Sequence, residues 1–97
     1  MTTYILLINW TDQGIRSVKD SAKRLDAARN MLGSMGGSFD KFYLTMGEYD
    51  MAAICEAPDD RVMARFTLTL AMAGNVRTKT LKAFSEVHYR DIIGSLS

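Results

Sequence analysis

Cysteine occurs once in the 97 residues, at Cys55, so no disulfide can form within the chain. A lone thiol suits a reducing compartment better than an oxidising one. Histidine also occurs once, at His88. A structural zinc site takes four ligands, mostly Cys and His, and this chain offers one of each, so no metal is expected. A Ser/His/Asp triad would have to be built on His88, which lies in a polar C-terminal stretch without a nucleophile motif. Net charge is nearly absent: 12 Lys and Arg against 11 Asp and Glu leave +1. Such a balance draws neither nucleic acid nor an anionic membrane. Glycine-rich phosphate loops are missing, and no cofactor is expected. The opening MTTYILLINW has no basic start, and its apolar run is too short for a signal peptide or a membrane span. A cytoplasmic location is the expectation.

What is present fits an ordinary globular protein: 47% hydrophobic and 24% charged residues. The length suits one domain over residues 1–97, able to bury a core without disulfides or metals. Tyr4 to Trp10 is a short, β-branched apolar run and predicts a strand. Thr11 and Asp12 supply a helix cap, and Gly14 permits a tight entry. Ile15, Val18, Ala22, Leu25, Ala28 and Leu32 then recur at steps of three or four, predicting one amphipathic helix that Gly33, Gly36 and Gly37 end.

Two strands follow, about Ser38 to Met46 and Tyr49 to Glu56. Gly47-Glu48 between them predicts a two-residue type II′ turn. That turn pairs Met46 with Tyr49, Thr45 with Asp50, Leu44 with Met51, Tyr43 with Ala52 and Phe42 with Ala53. Opposed residues share a face, so Phe42, Leu44, Met46, Tyr49, Met51, Ala53 and Cys55 form an apolar one. Pro58, Asp59 and Asp60 open a second helix, buried along Val62, Met63, Phe66, Leu70 and Ala73 and closed by Gly74. A last strand runs from Val76 to Phe84. A tail over 87–97 follows the core of about 3–86, and Glu86 to Ser97 reads as an amphipathic turn or helix.

The order is the split βαβ plan, an α+β ferredoxin-like βαββαβ fold with a four-stranded antiparallel sheet and two helices on one face. Its first and third strands lie at the centre, which agrees with their two-sided apolarity. Two helices cover one face, so an apolar second face calls for a partner, and a second copy is the simplest.

Four segments in order, Thr11-Asp12-Gln13-Gly14, Gly47-Glu48-Tyr49-Asp50, Glu56-Ala57-Pro58-Asp59-Asp60 and Gly74-Asn75-Val76-Arg77-Thr78, resemble the GYD-domain family of small bacterial proteins. The Gly-x-Tyr-Asp motif of that family matches Gly47, Tyr49 and Asp50, and the resemblance extends to about Arg90. It implies the ferredoxin-like dimeric α/β-barrel superfamily and hence a homodimer. It implies little chemistry, since the wider superfamily includes cofactor-independent monooxygenases, small isomerases and ligand-sensing domains.

Trp10, Tyr49, Asp50 and Arg77 are the candidate ligand-binding residues. Asp50 lies just inside a strand and needs a partner, either a ligand or a donor such as Arg77. Trp10 is placed to wall a pocket, and the seven methionines suit an adaptable apolar interior. The expected function is a homo-oligomeric small-molecule-binding or accessory protein with an apolar pocket. The alternatives are a cofactor-independent monooxygenase or isomerase using Asp50, Tyr49 or His88, and a purely structural oligomer.

Overall fold

In the computed structural model, which describes residues 1–97, β1 is Thr2–Trp10. Its alternation buries Tyr4, Leu6 and Ile8 on one face. α1 (Asp12–Arg16) starts from Thr11, whose hydroxyl accepts the Gly14 N–H at 3.1 Å. The single helix expected to run to Leu32 is broken. The chain turns at Ser17, makes one 3-10 turn over Val18–Asp20 and resumes as α2 (Ser21–Ser34). Arg24 explains the break: its guanidinium donates to the Ser17 carbonyl at 3.1 Å and the Gly14 carbonyl at 3.2 Å. Carbonyls that a continuous helix would give to backbone N–H groups are satisfied from the side.

Gly14 has a larger part than easing the helix entry. A Cβ there would stand 2.0 Å from the Asn75 carbonyl oxygen. The turn at Asn75 lies directly against α1 and accepts the Thr11 N–H at 3.0 Å. α2 ends in a Schellman turn, with Gly37 N–H donating to Leu32 O at 3.0 Å and Gly36 N–H to Gly33 O at 3.1 Å.

β2 (Ser38–Leu44) and β3 (Met51–Ala57) pair in the expected register, Phe42 with Ala53, Tyr43 with Ala52 and Leu44 with Met51. The turn differs. The strands stop at Leu44 and Met51, and Thr45–Asp50 forms a wider loop in place of the two-residue connection. Thr45 N–H donates to Asp50 O at 2.9 Å, and the Thr45 hydroxyl donates to Tyr49 O at 2.6 Å. Gly47 takes φ +135° at the loop tip. Two residues expected on the buried face therefore leave it. Met46 is fully exposed, and Tyr49 lies with its ring 5.7 Å from the Lys79 ammonium. A bulge between Phe39 and Lys41 lets both Phe39 and Phe42 face the helices.

α3 (Asp60–Met72) is capped by Asp59, whose carboxylate accepts the Val62 N–H at 2.9 Å. β4 (Val76–Ala83) completes an antiparallel sheet of order β2-β3-β1-β4. This is the α+β ferredoxin-like arrangement, with β1 and β3 central. α2 and α3 cover one face, where Leu6, Leu32, Ala53, Cys55 and Phe66 are completely buried. Phe39 meets the edge of Phe66 with ring centroids 6.4 Å apart.

The other face carries Ile5, Leu7, Ile54 and Leu81, with no helix over it. Beyond it α4 (Glu86–Gly94) forms the helix expected in the tail, started by Ser85, and buries none of its residues. Its projection explains a radius of gyration of 14.6 Å and a long axis of 52 Å; a compact chain of this length has a radius of about 12.5 Å. No helix is long and apolar enough to cross a membrane.

Candidate functional site

Between the two helices and the sheet lies a cavity of about 460 Å³. β1 and β3 supply its floor through Ile8, Trp10 and Met51, while Leu25 and Met31 of α2 and Leu70 of α3 form its walls. The β2 bulge matters here, because it brings Phe39 and Phe42 to the same cavity. The volume falls in the range of about 300–1,000 Å³ usual for small-molecule sites. The lining is mostly hydrophobic, so this half-open cavity suits an apolar body.

Of the four residues singled out from sequence, Trp10 lines this cavity and Tyr49, Asp50 and Arg77 do not. Asp50 is tied to the end of β1. Its carboxylate accepts the Trp10 N–H at 3.0 Å, and its own N–H donates to Ile8 O at 3.1 Å and Asn9 Oδ1 at 2.9 Å. Trp10 and Asp50 are thus neighbours, but through the backbone of the strand. Arg77 is not the partner of Asp50. It lies exposed in register with Asn9 and takes part in neither ion pair of the chain. Tyr49 rests by Lys79, and His88 lies exposed on α4.

Cys55 is completely buried, and burial, aided by the charge of Asp40, pushes its thiol up to about 12. The thiolate needed for nucleophilic work is therefore suppressed at neutral pH.

Two features escaped the sequence reading. Arg24 falls outside the apolar repeat of the predicted helix, yet it lines the cavity. Tyr4, Asp60 and Lys82 form a polar link between sheet and α3. The buried Tyr4 hydroxyl donates to Asp60 at 2.5 Å, and the Lys82 ammonium stands 3.1 Å from the other oxygen of the same carboxylate. Burial and then the Asp60 carboxylate push the Tyr4 phenol up to about 12, while Tyr4 and Lys82 hold the Asp60 carboxyl below the usual carboxylate value. Lys82 pairs with Tyr4 across β1 and β4, a neighbourhood that appears only once the register is known.

Comparisons with known proteins agree with this architecture. A Thermus thermophilus protein described as a glutamine synthetase and cystathionine beta-lyase binding protein is 33% identical over 84 residues, spanning 86% of this chain and 88% of that protein. Among solved structures, the feast or famine regulatory protein of M. tuberculosis, complexed with L-methionine, superposes with a TM-score of 0.67 at 15% identity over 88% of this chain. The present chain spans about half of that regulator, 51% of its length. TTHA0845 from Thermus thermophilus superposes with a TM-score of 0.55 at 22% identity, covering 88% of this chain and 95% of that one. At these identities the two structures establish a shared fold. The family model for the GYD domain matches residues 4–93, and the chain belongs to the GYD domain family.

Proposed function

We propose that the chain works as a self-assembled accessory protein, a homodimer or larger oligomer that acts by binding other proteins. The observation that carries this reading is α4, with Val87, Tyr89, Ile92 and Ile93 all exposed. An isolated helix of nine residues is marginal in water. Its apolar side needs a surface that its own chain does not provide. The uncovered sheet face is the second such surface. Four strands about 4.8 Å apart and about seven residues long span roughly 450 Å² in projection. A stable interface takes about 800 Å² per partner, so sheet and α4 together suit an assembly better than the sheet alone.

The partner class comes from the relative named for binding glutamine synthetase and cystathionine beta-lyase. Light scattering at micromolar concentration is expected to give at least twice the 10.8 kDa chain mass. Immobilised protein is expected to retain purified glutamine synthetase or cystathionine beta-lyase from the same organism. A stable monomer that retains neither enzyme overturns the proposal.

A small-molecule role is favoured by a separate observation, the helix-side cavity with Trp10 in its lining.

A further inference from the structure

Arg24 is the one charged residue lining the helix-side cavity, and it is half-buried there. Its guanidinium donates to Ser17 O at 3.1 Å, Ser17 Oγ at 3.2 Å and Gly14 O at 3.2 Å. All three acceptors are neutral. The chain's two ion pairs are Lys82 with Asp60 and Arg90 with Glu86, so the charge on Arg24 has no carboxylate beside it. A guanidinium carries five N–H donors, and three bonds leave two unused. A cation partly withdrawn from water beside an apolar space is costly until an anion joins it.

The remaining polar lining adds no competing charge. The Thr69 hydroxyl donates to Arg65 O at 2.6 Å, and Asn75 Oδ1 accepts from Gln13 at 3.1 Å. No Asp or Glu lines the cavity to repel an anion or attract an amine.

We propose that this cavity binds an apolar monocarboxylate. Its hydrocarbon body lies among Trp10, Leu25, Phe42 and Leu70, and its carboxylate accepts from the unused donors of Arg24. The assignment rests on the small-molecule reading of the cavity and adds the charge and kind of ligand. A neutral alcohol of the same length fills the apolar space but leaves Arg24 uncompensated. An alkyl cation meets like charge.

Trp10 is the sole tryptophan, so its emission reports the cavity directly. The assembled protein is titrated with decanoate, 1-decanol and decyltrimethylammonium below their aggregation limits. Decanoate is expected to shift the emission saturably and to bind about tenfold more tightly than decanol, the scale of one charge-assisted bond. Decyltrimethylammonium is expected to bind more weakly than either. Arg24→Gln should bring decanoate and decanol together, and Arg24→Lys should keep part of the preference. Ala28→Phe, which fills the cavity, should abolish the response to all three, with far-UV circular dichroism checking that the variant folds. If any of these three variants fails to fold, the three-ligand comparison on the unaltered protein still decides. Equal binding of decanoate and decanol overturns the carboxylate assignment while leaving an apolar cavity. No saturable response to any of the three overturns the small-molecule reading itself.

Discussion

Gly14 and Gly47 show two different reasons for a glycine. Gly14 is required by space, because the Asn75 backbone occupies the place of a Cβ. Gly47 has nothing within 4 Å of its missing Cβ, and only its φ of +135° excludes other residues. Gly14→Ala should therefore cost about 2–3 kcal/mol by overpacking. Gly47→Val should cost roughly 1–3 kcal/mol by backbone strain. Urea unfolding measures both. A D-alanine at position 47 should restore most of the loss, whereas no residue with a Cβ should rescue position 14. Cys55 and Tyr4 add a dependence on alkaline pH. Their folded pKa values are raised from 9.0 and 10.0 to about 12, so the stability they contribute is complete below about pH 9 and is lost as pH rises toward 12. The midpoint of urea unfolding should fall across that window, and Tyr4→Phe should flatten part of the fall. Reaction of Cys55 with an aromatic disulfide reagent at pH 8 should be slow in native protein and rapid in urea.

The elements differ in how much of them the residue pattern reveals. Strand order and the start of α3 were legible because they follow from the two-sided apolarity of β1 and β3 and an Asp cap, and the β2–β3 pairing holds because the wider loop is still centred on Gly47-Glu48. The break at Ser17 was not. Val18 keeps the apolar stripe running, and the cause is a side chain seven residues on, Arg24. The bulge in β2 left a faint trace, since Phe39 and Phe42 stand three apart where a regular strand repeats every two. The Thr45–Asp50 loop was misread for want of tertiary context. Asp50 bonds across to Ile8 and Trp10 in β1, and that holds the loop open wider than a two-residue turn. Asp50→Ala should cost roughly 1–2 kcal/mol, because the Trp10 N–H loses a charged acceptor. Asp50→Asn, which keeps an oxygen in place, should cost less, and thermal melts of the two variants provide the comparison. Of the candidate site, Trp10 was readable as a wall residue at a strand end. Arg24 was hidden because a charge between apolar positions looks the same whether it faces water or a cavity.

At the scale of the whole molecule the two faces of the sheet divide the work. One face is packed under α2 and α3, and the other is bare. A charge placed on the bare face should leave the folded monomer nearly as stable while preventing assembly. Ile54→Arg is expected to reduce the mass in light scattering to that of one chain, with the far-UV spectrum unchanged. Loss of folding in that variant would show that the chain has no stable monomer.

Register along β1 sets the distance between the cavity and α4. Trp10 pairs with Val76 at one end, beside the cavity, and Thr3 pairs with Ala83 at the other, beside the root of α4. Seven residue steps of strand put these ends about 23 Å apart. A small ligand in the cavity would therefore not contact the root of α4 directly. β4 runs between the same two ends and continues into α4, so the paired strands β1 and β4 together join the cavity to that helix.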